Sequence, residues 1–191
     1  CIAGSRLLVQ RQVHDEVVDR LTEVARTARM GDPSKLDTQV GPVTTQPQRA
    51  HILKMIEAGK ADGARCVMGG GVPKDATLGP GWFVEPTIFT DVRNEMRIAR
   101  TEVFGPVLSI IPFDDDAQAV RIANDSPYGL ASGLWTRDIG RAIKVSRAME
   151  SGTVWVNTYR AVSFMAPFGG YKRSGIGRES GQESIFEFLQ T

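Results

Sequence analysis

The sequence predicts an α/β fold, a largely parallel sheet flanked by helices, and three observations carry that prediction. Short strand-like runs recur along the chain, at Arg6–Gln10, at the β-branched and aromatic Val107–Phe113, and at Thr153–Val156. Segments with apolar residues at helical spacing lie between or after them. Gly, Pro, Asn and Asp punctuate the boundaries, so strand and helix alternate as they do where crossover helices cover a parallel sheet. The 191 residues suffice for one buried core and are read as one domain.

Taken in order, Arg6–Gln10 is expected as a strand leading into an amphipathic helix whose apolar stripe is Val13, Val17, Leu21, Val24 and Ala28. Gly31-Asp32-Pro33 stops that helix, and a polar loop follows to Val43. Thr45-Gln46-Pro47-Gln48 has the form of a capping box, in which Thr45 caps free amides and Gln48 returns the bond. The helix it opens should run to about Asp62. A short strand at 65–68, a Gly/Pro-rich surface excursion to Gly81 and an extended run over 82–89 come next. Residues 107–113 form a strand, and 114–116 start a helix that ends before Ser126-Pro127. Residues 129–135 read as a strand, 138–149 as a helix closed by Gly152, and 153–156 as a further strand. The stretch 167–178 is glycine-rich and basic, and 179–189 is weakly helical.

Composition excludes several classes. Lys and Arg number 23 against 22 acids, so no net field favours nucleic acid or an anionic membrane surface. No apolar run approaches the roughly 20 residues of a spanning helix, and the first segment has no secretory signal pattern, so a cytoplasmic location is expected. Two cysteines, Cys1 and Cys66, are too few for a disulfide scaffold. His14 and His51 stand at no metal-ligand spacing to them, and no metal is expected. The chain begins with Cys rather than Met and stops without a finishing element, from which a longer parent polypeptide is expected.

Phosphate-binding glycine patterns are absent. Gly175-Ile176-Gly177 meets its next glycine only at Gly181, one residue late for the dinucleotide fingerprint, and it follows a polar loop instead of a strand. Four other blocks stand out: Cys1-Ile2-Ala3-Gly4-Ser5-Arg6, Glu102-Val103-Phe104-Gly105-Pro106-Val107, Gly152-Thr153-Val154-Trp155-Val156-Asn157, and Pro167-Phe168-Gly169-Gly170-Tyr171-Lys172 with Ser174-Gly175. Together, in this order, they resemble the NAD(P)-dependent aldehyde dehydrogenase superfamily from Cys1 to about Glu179. The resemblance implies the catalytic domain of that fold over residues 1–191, beginning at the nucleophilic cysteine, with the cofactor-binding domain absent from this chain.

The resemblance also implies roles. Cys1 would attack an aldehyde carbonyl to give a thiohemiacetal, pass hydride to NAD or NADP, and leave a thioester that water opens. The chemistry needs a thiolate and donors aimed at the developing oxyanion. In the family the asparagine donor and the water-activating glutamate lie upstream of this chain, so the isolated chain should not turn over. Ala3 and Gly4 would let backbone and substrate approach closely. Glu102 matches the glutamate that accepts bonds from cofactor ribose hydroxyls, an acceptor-only group suited to that task. Phe104 matches an aromatic near the nicotinamide end. Asn157 opens the aldehyde-tunnel loop, along which Tyr159, Phe164 and Phe168 would exclude water, and Asn157 and Phe168 are the substrate-binding candidates.

Each residue also has a structural reading: a buried thiol for Cys1, a solvated loop acid for Glu102, a core anchor for Phe104, a turn for Asn157, and packing beneath a loop for the aromatics. Trp155 belongs to the core, Cys66 is a structural thiol, and Lys172, Arg173, Arg178 and Glu179 form a solvated face. The partners implied are a small-molecule aldehyde and further copies of the parent in a dimer or tetramer. Two other classes compete: an N-terminal nucleophile hydrolase, which would need a sandwich of antiparallel sheets, and a non-catalytic assembly module.

Overall fold

The computed structural model describes residues 2–190, which fall into two compact units: Ser5–Asp114, and the later residues together with the short segment ahead of Ser5. The first unit reads β1 (Arg6–Gln10), α1 (His14–Arg26), α2 (Gln46–Ala61), β2 (Arg65–Met68), β3 (Thr87–Thr90), α3 (Arg97–Arg100) and β4 (Val107–Phe113). Its strands form one sheet in the order β1-β4-β3-β2, with β4 parallel to both neighbours and β2 antiparallel at the edge. The expected mixed α/β architecture with a mostly parallel sheet is therefore present. The antiparallel sandwich that an N-terminal nucleophile hydrolase requires is not what this sheet forms.

Both faces of β3 and β4 are covered. Leu108, Ile110 and Ile88 pack with Val9 and with Val17, Val18, Leu21 and Ala25 of α1. On the opposite face Phe89, fully buried, lies against Gly59 of α2, where an added Cβ would come within 3.4 Å of its ring. Strands covered on both faces have no reason to alternate, which accounts for the near-continuous apolar run of β4.

The apolar stripe of α1 differs from the expected one. His14, Val18 and Thr22 are buried, whereas Val24 is 68% exposed and Val13 sits outside the helix as its N-cap. Two polar residues hold part of the buried face. His14 Nε2 lies 3.0 Å from Thr90 Oγ1, and Nδ1 lies 2.8 Å from Asp15. In α2, Thr45 Oγ1 accepts from the Gln48 amide at 3.4 Å as expected, but the Gln48 side chain goes elsewhere. The extended run over 82–89 becomes a strand only from Thr87, since Pro86 brings no N–H to a ladder. The one-turn α3 is too short to show periodicity. It is tied to the end of α2 by Arg97, whose guanidinium meets Asp62 at 2.7 Å.

The second unit holds α4 (Asp116–Asn124), β5 (Tyr128–Gly129), β6 (Ala131–Leu134), α5 (Ile139–Ala148), β7 (Thr153–Val156) and β8 (Tyr171–Lys172). Asp115 and Asp138 cap the two helices through the amides of Gln118 at 2.7 Å and Arg141 at 2.9 Å. β6 and β7 run parallel, and β5 pairs antiparallel with β8. The single strand expected over 129–135 is thus broken at Leu130, because its two halves take different partners. Gly152 does not close α5, which ends with Met149 in an extended conformation. A Cβ at Gly152 would collide with the Gly169 carbonyl, so glycine is required there by a close backbone crossing. In place of a helix over 179–189 there is a 3₁₀ segment at Glu183–Phe188. Among the described residues no helix is long and apolar enough to cross a membrane, and no group of three or more His, Cys, Asp or Glu could hold a metal ion.

Candidate active site

In the first unit, Glu102 and Phe104 lie on the loop between α3 and β4. Val103, 4% exposed, anchors that loop in the core, and its two neighbours therefore point outward. Phe104 is 59% exposed and has φ 51°, a left-handed conformation that a bulky side chain rarely takes. Several contacts hold it there. Gln48 Nε2 donates to the carbonyls of both Val103 and Phe104, each at 3.0 Å. Gly105 presses on the fully buried Ile52, with an added Cβ only 2.5 Å from Ile52 Cδ1. The Thr87 amide donates to the Pro106 carbonyl at 2.8 Å, and His51 Nε2 stands 3.4 Å from the Glu102 carbonyl. The backbone is thus fixed on both sides of Phe104, while the Glu102 carboxylate is exposed and forms no ion pair or hydrogen bond among the described residues. Phe104 is consequently no core anchor. Gln48, read from sequence only as half of a capping box, is the polar clamp of this loop.

In the second unit, Cys1 lies outside the described residues, but Ile2 and Gly4 are described. Tyr159 Oη donates to the Ile2 carbonyl at 3.1 Å. Its ring packs edge-on against Trp155 at 5.0 Å and lies 6.2 Å from Trp135. Partial burial pushes the Tyr159 phenol above its ordinary pKa, so the hydroxyl keeps its proton. Trp155 is buried as expected and donates from Nε1 to the Ala161 carbonyl at 2.8 Å. Sequence placed Tyr159 only among the tunnel aromatics; its contact with Ile2 spans 157 positions and left no local signal.

Asn157, at φ 54°, donates from Nδ2 to the Thr136 carbonyl and accepts from the Thr136 amide at Oδ1, both at 2.9 Å. Its amide side chain thereby continues the β6–β7 pairing by one step, so the turn-satisfying reading describes its observed contacts. Phe168 is half-buried and exchanges backbone hydrogen bonds with Glu179 at 2.7 and 2.8 Å. Phe164 is 83% exposed. Cys66 is half-buried with Sγ 3.3 Å from the Met68 carbonyl, and desolvation pushes its thiol above the ordinary value. Lys172 is exposed, as the solvated-face reading expects, and there pairs with Glu150 at 2.6 Å and donates to the Asn124 carbonyl.

The family model described as the aldehyde dehydrogenase family matches residues 1–191. Betaine aldehyde dehydrogenase of Brucella anthropi is 45% identical over 190 residues, and that of Brucella melitensis 44%; both matches cover all of this chain and 39% of the relative. Among solved structures, betaine aldehyde dehydrogenase from Staphylococcus aureus in complex with NAD+ matches with a TM-score of 0.97 at 40% identity, covering 100% of this chain and 38% of that one. Aldehyde dehydrogenase of Mycobacterium tuberculosis complexed with NAD+ matches at 0.95 and 44% identity, with 100% and 39% covered. The chain thus spans about 39% of the length of the curated relatives it matches.

Proposed function

The chain belongs to the aldehyde dehydrogenase family, and on that premise we propose that it is the catalytic portion of a longer enzyme that oxidises an aldehyde to a carboxylic acid with NAD+ or NADP+. The observation that carries this reading is the 102–104 loop. An unpartnered carboxylate and, two residues on, an exposed aromatic stand on one loop, whose strained backbone at Phe104 is held by clamps on both sides. That pair fits a cofactor carrying ribose hydroxyls and a flat ring: Glu102 offers only acceptors, and Phe104 offers a face or edge. When bound, the nicotinamide supplies the hydride acceptor. The NAD+ complexes of the two similar structures support NAD+.

Cys1 is the nucleophile. Its thiolate adds to the carbonyl carbon of the aldehyde, the tetrahedral adduct collapses with loss of hydride, and the resulting thioester is hydrolysed to the acid with return of the thiolate. Cys66, whose thiol is held neutral by burial, is unsuited to that role. The half-buried Phe168 and Tyr159 offer apolar surface for the aldehyde, and Asn157 holds the start of their loop.

A paired substitution in the intact parent enzyme tests the assignment. Cys1→Ala should abolish oxidation and leave cofactor binding by fluorescence titration within about twofold. Glu102→Gln should raise the cofactor Kd on the order of tenfold, the scale of one or two lost hydrogen bonds to a charged group. Turnover by Cys1→Ala, or an unchanged cofactor Kd in Glu102→Gln, would remove the corresponding role.

A further inference from the structure

We propose that Tyr159 is a positioning residue for the nucleophile, a tether that fixes the backbone immediately after Cys1. This rests on the assignment of Cys1 above. Tyr159 Oη reaches back to the Ile2 carbonyl at 3.1 Å, and its ring is pinned so that the hydroxyl has one place to go. Trp155, itself buried and bonded to the Ala161 carbonyl, meets the ring edge-on at 5.0 Å. Gly133 lets the ring approach so closely that an added Cβ would stand 2.9 Å from Tyr159 Cδ2, and a Cβ on Gly4 would stand 3.1 Å from Oη. The small residues at 4 and 133 thus make room for this side chain.

The consequence follows from chain geometry. Peptide units are planar, so anchoring the Ile2 carbonyl fixes the plane of the Ile2–Ala3 peptide. Between that plane and the Cys1 Cα stand only ψ and φ of Ile2, and ψ of Cys1 then orients the side chain. A hydroxyl that limits the first plane limits the directions open to the Cys1 side chain, and a thiolate displaced by about 1 Å from the line of attack loses on the order of a hundredfold in rate. Partial burial raises the phenol's pKa above its ordinary value, so the hydroxyl remains a hydrogen-bond donor at neutral pH.

The test is Tyr159→Phe in the intact parent enzyme, since phenylalanine keeps the ring contacts with Trp155 and Gly133 and removes only the hydroxyl. Three quantities are read: kcat and the KM values for aldehyde and NAD+; the iodoacetamide alkylation rate of Cys1 against pH, followed by peptide mass spectrometry with Cys66 as internal reference; and the thermal midpoint. The tether predicts that kcat and the Cys1 alkylation rate fall together by about fivefold, the scale of one neutral hydrogen bond. It also predicts an unchanged KM for NAD+, an unchanged Cys66 rate and an unchanged midpoint. Unchanged kcat and Cys1 alkylation overturn the proposal. So does a loss accompanied by faster Cys66 alkylation and a lower midpoint, which is general loosening. If Cys1→Ala retains turnover the nucleophile assignment falls by itself, while the Cys1 alkylation rate in Tyr159→Phe still reports whether the tether exists.

Discussion

Gly105→Ala is a sharp probe of how the loop carrying Glu102 and Phe104 is held. The new Cβ would stand 2.5 Å from Ile52 Cδ1, 2.7 Å from Cγ1 and 3.2 Å from Cγ2, and Ile52 is fully buried with no solvent to swing into. Overpacking of this kind costs about 1–3 kcal/mol. Gly105 is not among the positive-φ glycines, so alanine meets no backbone penalty, and the lower entropy of its unfolded chain returns about 0.4–1 kcal/mol. The net expectation is a loss of about 1–2 kcal/mol. Ile52→Val removes Cδ1, the nearest obstacle, and costs about 0.5–1.5 kcal/mol alone. If the clash is real, the double variant should be more stable than the sum of the single losses by about 1 kcal/mol. Urea denaturation of the four proteins measures the cycle, and additivity within about 0.5 kcal/mol would refute the packing argument.

Phe104→Gly should relieve the left-handed backbone at φ 51°, leaving stability unchanged or raised by about 1 kcal/mol while weakening cofactor binding; a fall in thermal midpoint would show that the ring is structural after all. Asp62 is held below the ordinary carboxylate range, chiefly by side-chain hydrogen bonds from Arg97 and then by the Arg97 amide. A carboxylate depressed in the folded state contributes stability above its unfolded pKa, and that contribution is lost as pH falls through the folded value. Asp62→Asn should therefore flatten the acid limb of the thermal midpoint between about pH 5 and pH 3 and leave alkaline behaviour untouched; an unaltered acid limb would show the pair to be solvent-screened.

Regular elements were legible where local pattern and burial agree. β1 lies where its short apolar run places it, β4 and β7 where their β-branched runs place them, and Asp138 caps its helix as short polar N-caps do. Legibility failed where a distant contact overrides a local one. Gln48 is in register for a capping box, but the Val103 and Phe104 carbonyls, 55 and 56 positions away, take its amide. Gly152 has the place of a helix stop, yet it is needed because Gly169 crosses beside it. His14 and Thr22 are polar and hence invisible to a hydrophobic stripe, although both are buried. Of the candidate site, Glu102 and Phe104 emerge exposed on one clamped loop. Asn157 emerges as backbone support, and Cys1 lies outside the described residues.

Backbone strain connects these failures to function. Six non-glycine residues among those described have positive φ, and three of them, Phe104, Asn157 and Lys172, lie within the sequence blocks that resemble the family. Each is held by polar bonds: Gln48 to the Phe104 carbonyl, Asn157 to Thr136, and Lys172 to Glu150 and the Asn124 carbonyl. A conformation costing roughly 1–3 kcal/mol persists only where its surroundings over-determine it. At Phe104 the clamped backbone seats Val103 in the core and Gly105 against Ile52, and it leaves the Phe104 ring mostly solvent-exposed. At Asn157 and Lys172 the strained residue is itself the clamp. Strain that leaves a side chain exposed is thereby distinguished from strain that makes a bond and holds the frame. By that distinction Phe104 is the strained residue whose ring is left exposed, and Asn157 and Lys172 are strained residues that hold the frame.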